Sequence, residues 1–437
     1  MSVTKASRLL AIQCKPSSSK SVSLQLLSAN AFVQQAGKGL FGLLPLGQRV
    51  ISRLVGVIEK ELDGIGAQKV SLPFIGAKEL WEATGRWEGM GSELLRFQDR
   101  KKREFCLQPT AEEMMTDFMS SHSAPPSSSY PFLLYQTTNK FRDEMNPRFG
   151  LLRGREFLMN DMYSFDLSES AAMETYNLVC DAYDRILKGK LGLEVYKVQA
   201  DSGVHGGSLS HEYHLKSPLE EDAMEECIKC GTHYKANEGP KVVCCEGVKR
   251  KRVSSIEVAH TFHLGKRYSE ALNAYATLPN GRHHLDMCCF GIGVTRLLPA
   301  IVESLSRSHC SNDNFIHLPP SIQPFDVAVI PTQSLLESPT LSKLLSSLNE
   351  VLSSKNNVDP AVLLDDRSNL TLGRRVLYAQ QIGVSKVVVL GKGTEKSMQT
   401  EPLFEWWSAN PLRSEKLTKK GDLTLNALMQ SIKEEIN

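Results

Sequence analysis

A chain of 437 residues with 41% apolar and 23% charged residues is long enough for two or three domains with their own cores. It contains no run of eighteen apolar residues, so a membrane span is not expected. The formal net charge of +2 announces no nucleic-acid partner, so any basic surface must be local.

The first acid is Glu59, preceded by Lys5, Arg8, Lys15, Lys20, Lys38, Arg49 and Arg53. Residues 1–23 are rich in Ser, Lys and small apolar side chains, the composition of an organellar transit peptide. Between 44 and 66, Ile51, Leu54, Val55, Ile58, Leu62 and Ile65 recur at helical spacing, and Gly64 and Gly66 close the pattern. "AQKVSLP" then reads as a strand stopped by Pro73, and "SAPPSSSYP" (123–131) as a loop. Residues 132–144 and 156–166 read as two strands of a hairpin. Between them lies an arginine-rich loop carrying Arg148, Arg153 and Arg155. Residues 169–192 are helical, and 217–252 read as a small polar, cysteine-bearing insertion. Residues 283–305 run from a strand through Gly291 and Gly293 into a helix. After a boundary near Pro319–Pro324, "FDVAVIP", "AVLLDD" and "KVVVLG" alternate with helical stretches 340–354 and 371–382. That rhythm predicts a small α/β domain with parallel strands.

The arginine loop carries the chemistry. A guanidinium is always charged, and its planar fork fits carboxylate and phosphate oxygens. Arg142 and Glu144, two apart on a predicted strand, share a face as a preorganised binding pair. Arg153 with Phe157 adds a cation for phosphate and a ring for a base. "FGIGVTR" supplies Gly291 and Gly293 for close backbone approach and Arg296 at a helix start. No Walker-type loop is present, so a P-loop kinase is not supported.

A helix–strand–proline unit, then F-R-x-E…R-x-x-x-F, then G-x-G-x-x-R, in this order, resembles the three motifs of the class II aminoacyl-tRNA synthetases. Further stretches, among them "ELWEATGRWEGMGSELLRFQDR", "LQPTAEEMMTDF" and "EVAHTFHLGKRYSEALNA", are similar to the prolyl-tRNA synthetases of bacterial type. The resemblance spans residues 24–437. It implies an α+β catalytic domain over 24–319, an antiparallel sheet flanked by helices, followed by a C-terminal α/β anticodon-binding domain over 325–437.

By the same resemblance, Thr110 and Glu112 receive the secondary amine of L-proline, and Arg142 bridges the proline carboxylate and the α-phosphate of ATP. Glu144 reads the adenine amino group and Phe157 stacks the ring. Arg153 and Arg296 hold the γ-phosphate, Glu257 lies near the phosphates or their Mg²⁺, and His260 lies near the proline ring. The implied partners are tRNA(Pro), L-proline and ATP, with a homodimer built across motif 1. Two other readings are a catalytically inactive synthetase-like binding or regulatory subunit, and a class II synthetase for threonine or glycine. The retained motif residues speak against the first, and the P-T-x-E-E and G-R-W stretches favour proline.

The sequence departs from the bacterial pattern in one respect. Only about forty residues separate "SHEY" from "SSIEVAHTF", too few for the editing domain of the bacterial enzymes. With the basic N-terminus, this points to a form working in the mitochondrial matrix. The ten cysteines read as reduced thiols of an intracellular protein. Cys227-x-x-Cys230 has zinc-ligand spacing, but Cys244-Cys245 lacks the two-residue gap of a ribbon, so zinc is not expected. Lys and Arg balance Asp and Glu at thirteen each from Phe325 onward, so anticodon binding rests on the resemblance, with Arg367, Arg374 and Arg375 as phosphate contacts.

Overall fold

The computed structural model describes residues 2–10, 19–121, 125–201, 203–236, 244–245, 248–306, 315–353 and 360–436. The middle of the 1–23 stretch, the start of the 123–131 loop and part of 217–252 lie outside the described residues. Two compact units are present: Gln35–Phe41 with Val57–Ala300, and Met1–Gln34 with Gly42–Gly56 and Ile301–Asn437.

The first unit is built on a nine-stranded sheet. Its strands are β1 (Gln68–Lys69), β2 (Phe132–Phe141), β3 (Glu156–Asp166), β4 (Val195–Gln199), β5 (Leu209–Lys216), β6 (Asp222–Cys227), β7 (His233–Lys235), β8 (Arg250–Gly265) and β9 (Asp286–Gly293). The order is β4-β5-β8-β9-β3-β2-β1, with β6 paired to β8 and β7 to β6. All pairings are antiparallel except that of β1 with β2. The expected strand 67–73 shrinks to two residues, because only Gln68 and Lys69 find ladder partners on β2. The described part of the cysteine-bearing segment joins the main sheet. Its β6–β7 hairpin extends the sheet along the sixteen-residue β8.

Helix α1 (Pro45–Gly64) buries Ile51, Leu54, Ile58 and Leu62, the stripe its spacing predicts. From its other side Glu59 Oε1 accepts the Thr137 hydroxyl at 2.9 Å and Asp63 Oδ1 accepts the Tyr135 hydroxyl at 2.7 Å. Helix α2 (Glu112–Ser120) sets two acids in its first turn. Helix α3 (Glu169–Asp184), capped by Ser168, lays Tyr176 and Tyr183 against Phe290 of β9. Both faces of β3 are covered, so Asn160 to Asp166 are all buried.

The second unit holds a six-stranded mixed sheet. Val327–Pro331, Ala361–Leu364 and Lys386–Leu390 are parallel, and Phe404–Ser408 and Thr418–Leu423 add two antiparallel strands that the rhythm did not announce. At the opposite edge, Ser2–Lys5 pairs parallel with Ala361–Leu364, and the Ser7 hydroxyl donates to Asp366 Oδ2 at 2.7 Å. Arg375 is buried and donates to the carbonyls of Pro331 and Asp365, both at 2.9 Å, so it is unavailable to a phosphate. Arg367 pairs with Asp365, whereas Arg374 is exposed.

Candidate active site

Successive strand residues face opposite sides of a sheet. Cys288 turns toward α3, its thiol reaching the Ala172 carbonyl, whereas Asp161, Tyr163 and Cys289 line a cleft of about 390 Å³. Thr110, Glu112, Arg142, Glu144, Arg153, Phe157, Glu257, His260 and Arg296 all line this one cleft, although they come from four separate stretches of the chain.

One end is closed. Thr110 donates its hydroxyl to Glu112 Oε2 at 2.5 Å, and both side chains are buried. Arg86, wholly buried, meets Glu112 at 2.9 Å and Glu113 at 3.1 Å, and Thr84 donates to Glu113 at 2.8 Å. The Arg86 guanidinium also lies over the rings of Trp81 and Tyr268. Burial pushes the Glu112 carboxyl up, but Arg86, then His205 and Thr110, outweigh it and hold the group down at about 2. Glu113 goes the other way: burial and the neighbouring Glu112 raise it against the pull of Arg86. Behind Thr110, the Tyr163 hydroxyl accepts the Ala111 N–H and donates to Asp161, which is paired with buried Lys140 at 2.7 Å.

The middle is set by Arg142. Its Nε is buried and has no hydrogen-bond partner among the described residues. Its guanidinium carbon lies 5.2 Å from the centre of the Phe157 ring. Burial and then Arg296 press its pKa downward, against Glu93, Glu257 and Glu112. A half-buried guanidinium whose buried Nε–H is unspent, facing a cleft, suits an anionic ligand. Contrary to the alternation, which put them on the strand, Arg142 and Glu144 lie beyond its end at Phe141. The ladder of β2 ends at the Phe141–Glu156 pair, and the Glu144 N–H turns back to the Arg142 carbonyl at 2.8 Å.

The far end is open. Glu144 Oε2 accepts from Arg153 Nε at 2.7 Å, and Glu221 accepts from Arg148 at 2.7 Å and from Arg153 at 3.4 Å. Arg296 is braced by backbone, its Nε to the Leu152 carbonyl at 2.9 Å and its Nη1 to that of Glu257 at 3.3 Å. A Cβ on Gly291 would meet nothing nearer than Met159 Sδ at 3.6 Å, so packing leaves room there and the cleft is the space kept clear.

Glu257 and His260 are three apart, which regular alternation would put on opposite faces. The pairing of β5 with β8 shifts between Tyr213/Ala259 and His214/Glu257, leaving Val258 as an extra residue. This bulge turns both side chains to one side, His260 Nδ1 lying 3.1 Å from Glu257 Oε1. His260 stacks on Phe262 at 3.9 Å, and its Nε2 lies 2.6 Å from the Ser210 hydroxyl. Glu212, Glu257 and His260 bring their ligand atoms within 4.8 Å of one another. Burial would raise Glu257, but His260 and Arg296 hold it well below the usual carboxylate range. Two carboxylates there suit a hard divalent cation.

Sequence reasoning missed Arg86, Glu212 and Glu221. Arg86 stood in the G-R-W stretch with no sign that it was buried, and Glu221 lay in the segment read as an insertion. Only a search for acids able to balance Arg148 and Arg153 would have found Glu221.

Residues 95–305 match the tRNA synthetase class II core domain (G, H, P, S and T). The "Probable proline--tRNA ligase, mitochondrial" of Homo sapiens is 40% identical over 433 residues, which is 97% of this chain and 89% of that protein. The chain belongs to the prolyl-tRNA synthetases. The bacterial "Proline--tRNA ligase" of Pelagibacter ubique is 33% identical, over 88% of this chain and 90% of its own length. The fold is the class II synthetase fold. The crystal structure of prolyl-tRNA synthetase from Cryptosporidium parvum, complexed with L-proline and AMP, superposes with a TM-score of 0.72 at 16% identity, covering 95% of this chain and 74% of that one.

Proposed function

We propose that the protein activates L-proline with ATP and transfers it to tRNA(Pro). The proline carboxylate attacks the α-phosphorus in line, and pyrophosphate leaves. The terminal ribose hydroxyl of the tRNA then attacks the carbonyl carbon, and AMP leaves. No side-chain nucleophile is needed, so catalysis is positioning and charge stabilisation. Arg142 carries this reading: a half-buried, cation-bearing fork whose Nε–H is buried and unspent, on the same cleft as Glu112 and Arg296. It would bridge the proline carboxylate and the α-phosphate.

Thr110 and ionised Glu112 would accept the two N–H bonds of the secondary amine, with His260 beside the ring. Glu144 would accept from the adenine amino group and Phe157 would stack the base. Arg153 and Arg296 would hold the γ-phosphate. Glu257, with Glu212, would hold Mg²⁺, which supplies charge neutralisation at the phosphates. ATP–pyrophosphate exchange with the twenty amino acids in turn tests the assignment. Exchange that peaks with threonine or glycine, or with none, overturns it.

Between Lys216 and Arg250 the described residues form only the β6–β7 hairpin. We therefore assign no hydrolysis of mischarged tRNA to this chain and expect measurable activation of alanine, a close small competitor. Efficient Ala-tRNA hydrolysis by the purified protein would contradict this.

We place the protein in the mitochondrial matrix, on the acid-poor N-terminus and the names of its relatives. Cleavage after residue 23 would remove the Ser2–Lys5 edge strand, so N-terminal sequencing of the mature protein separates a removable address from a structural strand. Residues 325–437 would bind the anticodon stem. A homodimer is supported by Phe74, Ile75 and Phe97, exposed apolar residues at the small sheet that follows Pro73, Phe74 just before its first strand. Concentration-dependent mass checks it.

A further inference from the structure

A second cluster of ligand-bearing side chains lies apart from the cleft, at the tip of the β6–β7 hairpin. Cys227 ends β6, and the chain turns back through Cys230 and Gly231. Gly231 sits at φ +73°, a conformation glycine adopts without cost. Its N–H donates to the Cys227 carbonyl at 2.9 Å, and the Cys227 N–H donates to the Thr232 carbonyl at 2.9 Å. This tight turn brings two thiols three residues apart to one side, as metal-binding C-x-x-C turns do. From beyond β7 comes Cys244, whose N–H donates to the Tyr234 hydroxyl at 3.0 Å. Cys244 and Cys245 both lie in a bend, so the missing two-residue gap does not keep their side chains apart.

The outcome is that the sulfurs of Cys227, Cys230, Cys244 and Cys245 all lie within 4.8 Å of one another. Zinc–sulfur bonds of about 2.3 Å in a tetrahedron give sulfur–sulfur edges of about 3.8 Å. The cluster is therefore within about 1 Å of a closed tetrathiolate cage. A disulfide would join only two of the four and explain neither the turn nor the convergence of the others. Thiolates are soft ligands that select zinc over magnesium or calcium.

We propose that Cys227, Cys230, Cys244 and Cys245 bind one structural zinc ion, contrary to the expectation drawn from the Cys244-Cys245 spacing. Four thiols release four protons to solvent, four zinc–sulfur bonds form, and nothing is oxidised or reduced. The site is closed, with no position for substrate. It pins the outer end of β6. At the inner end, Glu221 holds Arg148 and Arg153, and Asp222 Oδ2 accepts the Glu257 N–H at 3.1 Å.

The test is elemental analysis of the full chain, expressed with zinc and purified without chelator. One zinc per chain is expected, and cobalt exchange should give the charge-transfer and d–d bands of a tetrahedral tetrathiolate. Cys230→Ser and Cys244→Ser alter exposed residues and should keep the wild-type circular dichroism. Each should lower zinc affinity about tenfold or more in competition with a chromogenic chelator. The proposal is overturned by a metal-free protein with four titratable thiols, by a disulfide within the cluster, or by iron in place of zinc.

Discussion

The two ends of the cleft are built on different principles. Around Thr110 and Glu112 every ionised group is buried and already matched inside the chain: Arg86 with Glu112 and Glu113, Lys140 with Asp161. Around Arg153 it is the cations that are half in water. Arg148 and Arg153 are 45% and 39% exposed; both reach Glu221, and Arg153 also reaches Glu144. Breaking a buried pair costs about 3–5 kcal/mol, whereas an exposed pair contributes about 0–1 kcal/mol. The closed end is thus fixed before any ligand arrives. The open end holds its arginines by contacts that a phosphate and an adenine amino group could replace cheaply. A small, stiff ring suits the first arrangement and a long, flexible triphosphate suits the second.

The largest effect that would break this contrast belongs to Arg86. Arg86→Gln leaves two buried carboxylates without their cation and should cost about 3–5 kcal/mol in denaturant unfolding. It also removes the charge that opposes burial at Glu112, so the Glu112 pKa rises. The KM for proline in the variant should therefore climb as pH falls from about 7 to about 5, while that of the parent stays level. A loss below about 1 kcal/mol would mean that the closed end is not held as described. Next comes Arg142→Ala, which should slow proline-dependent pyrophosphate exchange about 10²–10³-fold, or about 2.7–4 kcal/mol. Exchange near the wild-type rate would remove Arg142 from the reaction.

Glu221→Gln sharpens the contrast from the open side. The side chain keeps its shape but loses the charge that orients Arg148 and Arg153. The KM for ATP should rise several-fold, a change of about 1 kcal/mol, with the KM for proline unmoved. A shift confined to proline would show that the two ends are not separately organised.

What the sequence disclosed divides along the same line. Motif residues whose chemistry is unusual for their setting were legible: Arg142, Arg153, Phe157 and Arg296 all reach the cleft. The helix 45–64 and the strand 156–166 followed from apolar spacing and alternation, which depend on near neighbours only. Arg86 and Glu221 were not legible, because a buried charge is recognised by its partner, and those partners lie 26 and 68 or more positions away. The pairing of Glu257 with His260 depends on a bulge at Val258, which no periodicity announces. The four cysteines fail the ribbon spacing and converge only through backbone geometry.

The last effect is set by pH and tests how dry the closed end is. His205 stacks on Phe262 and lies 3.8 Å from Glu112. Burial depresses its pKa to about 4. Glu112 opposes that change, while Arg86, Arg142 and His260 reinforce it. The folded state therefore resists a proton that the unfolded chain accepts near pH 6.5. The stability that neutral His205 contributes is complete above the unfolded value and is lost as pH falls through about 6.5 toward 4. A tenfold change in proton affinity corresponds to about 1.4 kcal/mol, discounted here because water still reaches about a quarter of the ring. The expected loss over that window is on the order of 1–2 kcal/mol. His205→Gln, which cannot take the proton, should flatten that part of the unfolding free energy against pH. An unchanged slope in the variant would mean that His205 titrates as it does in water and that the closed end admits solvent at this point.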